Sequence, residues 1–305
     1  MEDKIIQSEP SGILILHKPV GITSHDAVYK IRRLFGTKRV GHTGTLDPLA
    51  EGVLVMLIGR AAKAAEYLVA DTKKYVATLR LGITTDTEDI TGNVLTESRD
   101  IPSAEQVQAV LDQFRGDILQ IPPMYSALKI GGKKLCDLAR EGKTIEREAR
   151  PITIHSLSAV STDSQTDYVL NVTCSSGTYI RTLCADIGAA LGCGGVMATL
   201  KRAAAGDFDI ENSVTLEALE QMTLEERLTL LQPTESLFSV LDSVKLPDFY
   251  YRLCINGCEI YQKKIKTDYP VGVRVRMLTP DGTFFALGEV REYENGTAIK
   301  AIKHL

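Results

Sequence analysis

One carboxylate in this chain is set up for display. Asp47 lies in the stretch Gly41-His42-Thr43-Gly44-Thr45-Leu46-Asp47-Pro48-Leu49-Ala50-Glu51-Gly52, just ahead of an apolar run at 53–58. Glycines permit positive φ and close backbone approach. Pro48 fixes its own φ and holds Asp47 extended. An Asp-Pro pair in a Gly-rich loop is commonly a simple turn, with Asp bonded to its own backbone. Here Asp47 and Glu51 are the only charges between Val40 and Arg60. A stiff loop feeding a buried strand suits a nucleophile or general base. Two other residues complete a candidate set. Arg181, in Ser175-Ser176-Gly177-Thr178-Tyr179-Ile180-Arg181, is a cation that could orient the carboxylate, and Tyr75, in Lys73-Lys74-Tyr75, is an aromatic platform. A carboxylate buried alone would be neutralised by desolvation, whereas a guanidinium partner keeps it ionised. Serine, cysteine and P-loop nucleophile signatures are absent. No second carboxylate stands at a spacing recognisable for glycoside hydrolysis.

The elements around these residues can be read from periodicity. Residues 13–16 form a short buried strand. Thr23 and Asp26 make a capping box for a helix with Val28, Ile31 and Leu34 at helical spacing, ended by Gly36. Residues 60–68 are Ala-rich and helical. Residues 73–82 alternate as a strand, and 84–89 form a polar turn without EF-hand spacing. A helix spans 103–115, capped by Ser103 and Gln106. Strands follow at 151–160 and 168–174, then a helix after Arg181. Residues 214–222 and 224–231 are helical, and short strands and turns fill the chain from 245.

Composition narrows the classes. With 305 residues and 44% apolar content, the chain has material for a large domain and a small one. No apolar run is long enough to span a membrane, and the polar stretch at 1–10 lacks a signal-peptide core. The six cysteines, 136, 174, 184, 193, 254 and 258, make no CxxC pair, which argues against zinc and for reduced thiols in a cytoplasmic protein. Net charge is −4, but residues 203–243 carry nine acids against Arg227, so the remainder is +4. Five cations (Lys30, Arg32, Arg33, Lys38, Arg39) and no acid lie between Ala27 and Leu46. They read either as a solvated helix face or as a phosphate-contacting edge. Residues 129–150 hold seven basic and four acidic residues.

GHTGTLDPLAEGVL closely resembles the signature loop of the TruB family of tRNA pseudouridine synthases, whose aspartate is the nucleophile. Three more strings carry the resemblance: Lys18-Pro19-Val20-Gly21-Ile22-Thr23-Ser24, the Lys73-x-Tyr75 strand ending Leu81-Gly82, and Ser175 to Leu183. The chain departs from the family at His17, where aspartate is usual. The resemblance implies an α+β pseudouridine-synthase fold, with a mixed, largely antiparallel central sheet flanked by helices. It also implies a small C-terminal PUA-like barrel, with a division into 1–243 and 244–305 and an RNA-gripping insertion at about 120–150.

Catalysis then falls to Asp47, Tyr75 and Arg181. His42, Tyr179, Leu200, Lys18, Lys129, Lys133 and Lys134 are assigned to the substrate side, with Lys18 also a candidate for holding the Asp47 loop. The implied reaction converts uridine 55 of the TΨC loop to pseudouridine. The base is flipped out, with His42 wedged into its place and Tyr75 stacked on the uracil. Attack at C1′, attack at C6 and a glycal route all stay open. No metal or cofactor is needed. The expected partner is tRNA, met by a monomer at the T-arm and, through the C-terminal domain, at the acceptor stem, without guide RNA or membrane. The competing reading is a non-catalytic tRNA-binding or folding protein using the same groove.

Overall fold

A computed structural model describes residues 9–67, 72–126 and 128–305. Residues 1–8, Leu68 and Ala127, which the sequence reading covers, lie outside the described residues. The run at 53–58 is apolar at every position because the strand Ala50–Ile58 is covered on both faces. Its even residues join Leu14, Leu16 and Ile31 in the larger core, and its odd residues join Ile13, Ile15 and Ala205 in a smaller one. The helix Ser24–Phe35 starts at the expected capping box and ends at Gly36 in the left-handed region.

Ten strands make the main sheet. Its principal path runs Val214–Thr215, Gly12–Lys18, Ala50–Ile58, Gly195–Ala205, Lys73–Leu81, Asp167–Cys174, Arg150–Ser161 and Gly116–Gln120. Two of its pairings are parallel, those of Gly12–Lys18 with Val214–Thr215 and of Ala50–Ile58 with Gly195–Ala205; the rest are antiparallel. The architecture is therefore the expected α+β fold with a mixed, largely antiparallel sheet. A second sheet of five strands, Ser243–Lys245, Arg274–Leu278, Phe284–Tyr293, Gly296–His304 and Ile260–Tyr261, curls as a half-barrel. Phe238, Leu287 and Ala64 form an apolar cluster that joins it to the rest.

Local form differs from the reading in four places. Residues 59–67, within the stretch read as helical, take the 3-10 form, and the expected 103–115 helix changes to 3-10 at Leu111. Residues 248–255, read as part of a strand-and-turn region, form a helix in which Cys254 is buried against the half-barrel core. The half-barrel is also open: its end strands Ser243–Lys245 and Ile260–Tyr261 do not pair with each other.

Candidate active site

Asp47 occupies the loop between the strands Val40–His42 and Ala50–Ile58, and four groups pin that loop by its backbone. The Ser24 hydroxyl receives Leu46 N–H at 2.8 Å and donates to Leu46 O at 3.0 Å. Gly21 N–H donates to Pro48 O at 2.8 Å. Lys18 Nζ donates to Ala50 O at 2.7 Å, and also to Pro19 O and Ile22 O at 2.8 Å each. Arg202 donates to Gly44 O at 3.0 Å and Val53 O at 2.7 Å. The 18–24 string is thus a clamp on the Asp47 loop.

This corrects the placing of Lys18 among substrate-side residues. Its side chain is fully buried and its donors end on carbonyls. Burial pushes its ammonium down to about 8, with Asp47 acting in the opposite direction. His17 belongs to the opposite face of the strand and lies 3.7 Å from Glu51. The departure from the usual aspartate therefore does not reach the Asp47 side.

The distant cation arrives as expected. Arg181 Nε is 3.0 Å from Asp47 Oδ2, and its Nη2 donates to Oδ1 at 3.5 Å. Arg181 is 6% exposed and Asp47 37%, so a buried guanidinium holds a carboxylate that still faces outward. The remaining donors of Arg181 are also placed. Nη1 donates to Thr87 O at 3.1 Å and lies 3.7 Å from Asp89, and Nη2 donates to Tyr125 O at 2.8 Å. Two loops unconnected to Asp47 therefore aim the fork. Between Thr87 and Asp89, Glu88 takes a positive φ of 63°, rare outside glycine. Thr182 donates to its carboxylate at 2.5 Å. Burial raises the Glu88 carboxyl above its usual range.

Tyr179, half-buried, precedes the helix Ile180–Ala190, and its own backbone is held by Gln120, which accepts from Tyr179 N–H at 2.8 Å and donates to Tyr179 O at 3.0 Å.

Tyr75 and Leu200 lie in the floor, 8% and 7% exposed. Sheet register explains their company. Lys18 pairs with Gly52, Gly52 with Arg202, and Arg202 with Tyr75, so one row across four strands carries all four. Leu200 pairs with Ala50 and Ala77 in the next row on that face. Gly52 is required there: at φ +106° an added Cβ would stand 2.3 Å from Arg202 O. Burial raises the Tyr75 phenol above its ordinary value, while Arg202 acts against that rise.

His42, in the strand before Asp47, accepts Gly44 N–H at Nδ1, 3.2 Å away. Burial lowers its pKa, and Arg202 and His25 add to the effect, so the neutral ring is favoured.

Lys129 and Lys134 belong to the two-residue strands Lys129–Ile130 and Lys133–Lys134, which pair with each other, and Lys133 is exposed. Among the five cations before Asp47, Lys30 faces Glu220, Arg39 pairs with Glu9, and Arg32 donates to Val40 O. Arg33 and Lys38 are exposed.

Sequence reasoning missed Asp89, Gln120 and Arg202. The first was read as part of a polar turn, and the third was passed over beside Leu200. Gln120, at the border of the insertion, gave no signal of its own.

The arrangement holds an outward-facing carboxylate against a fixed guanidinium, with a buried phenol on the same sheet as the strand that follows the carboxylate. Residues 32–180 match the model of the TruB family pseudouridylate synthase N-terminal domain, and residues 181–239 that of the tRNA pseudouridylate synthase B C-terminal domain. A tRNA pseudouridine synthase B of Clostridium novyi (strain NT) is 44% identical over 279 residues, 91% of this chain and 95% of that protein. Another, from Azoarcus sp. (strain BH72), is 45% identical over 85% of this chain and 86% of its own length. A crystal structure of a Cbf5-Nop10-Gar1 complex contains a chain of similar fold, with TM-score 0.73 and 26% identity, covering 96% of this chain and 84% of that one. The chain belongs to the TruB family of pseudouridine synthases, enzymes that isomerise uridine to pseudouridine in tRNA.

Proposed function

We propose that this enzyme modifies uridine 55, in the TΨC loop of tRNA, and that Asp47 is its catalytic carboxylate. The observation that carries the assignment of Asp47 is its two-point contact with Arg181 on an outward-facing loop. The target base leaves its stack, a step costing roughly a few kcal/mol. Tyr75 stacks on the uracil, worth about 1–3 kcal/mol. His42 fills the space vacated in the RNA. Asp47 assists cleavage of the bond between C1′ and N1. The detached uracil turns, C5 bonds to C1′, and the proton displaced from C5 is balanced by one gained at N1. Leu200 and Tyr179 wall the pocket, because an escaped base would leave abasic tRNA.

In this reading residues 1–243 are the catalytic domain and 244–305 a PUA-like domain that meets the acceptor stem, while Lys129, Lys133 and Lys134 grip the T-arm. The enzyme works in the cytoplasm as a monomer without guide RNA. Support for guide independence is the higher identity to tRNA enzymes than to Cbf5, 44% against 26%. For the described residues, no helix is long and apolar enough to cross a membrane.

The test is purified protein with one unmodified tRNA transcript and a pseudouridine-selective label mapped by position. Modification at 55 without other components is expected. Asp47→Asn should abolish it while leaving tRNA binding intact. Labelling elsewhere, or a requirement for added RNA, would overturn the substrate reading. An active Asp47→Asn enzyme would overturn the catalytic one.

A further inference from the structure

One buried charge at the site has no part in the scheme above. Arg202 is 2% exposed. Its Nε donates to Val53 O at 2.7 Å, Nη2 to Gly44 O at 3.0 Å and Nη1 to Thr45 O at 3.4 Å. Its neighbour across the sheet is Tyr75. Among the described residues no carboxylate is ion-paired with it; the acids near Asp47 are taken up elsewhere, Asp89 by Arg181 and Glu51 by His17. Burying a guanidinium on carbonyls alone is costly. Neutral groups do comparable clamping nearby: Ser24 on Leu46 and Gln120 on Tyr179. Holding backbone therefore does not by itself call for a charge.

What distinguishes Arg202 is where its fork lands. Gly44 and Thr45 precede Asp47, and Val53 follows it, so one planar group ties down both ends of the loop. Arg202 rides on the same strand as Leu200 and in the same row as Tyr75. The carboxylate is aimed by Arg181, but the distance between its loop and the phenol ring is set by the strand that carries Arg202. A lysine carries its three donors on one atom, so it lacks the separate Nε and Nη2 edges with which Arg202 reaches Val53 and Gly44.

We infer that Arg202 is a positioning residue of the reaction, fixing the Asp47 loop relative to Tyr75 and Leu200 without touching the RNA. This rests on Asp47 and Tyr75 acting as proposed above.

Arg202→Met and Arg202→Lys test it, the first removing charge and fork, the second the fork alone. Single-turnover pseudouridine formation, affinity for unmodified tRNA and thermal unfolding are measured on each. The rate should fall about 100-fold in the methionine variant, the scale of a small misplacement of reacting groups. Lysine should recover less than about a tenth of the lost activity, since one ammonium cannot replace the planar fork. Affinity should stay within about threefold, because a residue this buried makes no phosphate contact. A folded variant with its rate within about twofold of the parent overturns the inference. So does a rate that falls only in step with binding or with the folded fraction, which would reduce Arg202 to a fold-holding residue. Asp47→Asn is run alongside: if it stays active, the catalytic reading fails, whereas if it is dead and both Arg202 variants are normal, only this inference fails.

Discussion

The polar end of the main sheet and the C-terminal half-barrel use charge in opposite ways. Around Asp47, Lys18, Arg181, Arg202 and Asp89 are buried, and each is tied to named backbone or side-chain partners. In the half-barrel, Gln262 is the one buried polar side chain among the described residues, bonded to Tyr269 and Thr297. Its cations sit at the surface in ion pairs: Arg274 and Arg291 with Glu289, and Lys300 with Glu259. Arg274 and Lys303 also lie over the Tyr67 ring, at 6.0 and 5.3 Å from its centroid. Buried charges are expensive and hold one geometry, which suits a reacting centre. Exposed pairs are cheap, screened by salt and free to exchange partners.

The sharpest way to break this comparison is at Arg181. Arg181→Met leaves Asp89 buried without its cation and should cost about 3–5 kcal/mol of stability, the scale for a broken buried pair. Pseudouridine formation should drop by at least about 100-fold as Asp47 loses its orienting fork. Urea unfolding and single-turnover assays report the two effects. A milder change is Asp89→Asn, which keeps an acceptor for the Thr87 and Thr91 hydroxyls but removes the charge facing Arg181. Its expected stability loss is about 1–2 kcal/mol, with a rate loss of about tenfold. An unchanged rate there would show that Asp47 and the Thr87 and Tyr125 carbonyls orient the guanidinium without the Asp89 charge.

Gln120→Ala should cost about 1–3 kcal/mol, since it strips both partners from the Tyr179 backbone. Tyr179 lies two residues before Arg181, so the rate should fall with no loss of the Asp47 carboxylate. Lys18 gives a pH signature. Its folded pKa is depressed from 10.5 to about 8, so between those values the unfolded chain binds the extra proton. Stability should therefore gain from this group as pH rises through that window, and Lys18→Met should remove the gain in unfolding measured from pH 7 to 10.5.

Smallest of all should be Arg291→Gln in the half-barrel, below about 1 kcal/mol in stability. If this cation meets a phosphate, the slope of log affinity against log salt should lessen by about one. A large loss of folding from this exposed side chain would contradict the division drawn between the two regions.

Much of the local structure was legible. The Thr23 and Ser103 caps, the Gly36 stop and the alternation at 73–82 depend on neighbours a few residues apart. The Asp47 loop was legible for the same reason, and Arg181 was found through its motif. The 3-10 turn at 59–67 was not, because alanine content suits either helix and tertiary contacts chose between them. The helix at 248–255 was missed because its short segment was overshadowed by the strand and turn signals around it.

By itself the sequence determined which side chains were available and the stiffness of the loop that carries the carboxylate. Only the tertiary structure decided that residues 18, 52, 202 and 75 share a row, and that Asp89 and Tyr125 O meet Arg181. Side chains alternate along a strand, so a slip of one residue in pairing would turn Arg202 or Tyr75 to the other face. That register is a property of the assembled sheet, and no short stretch of chain contains it.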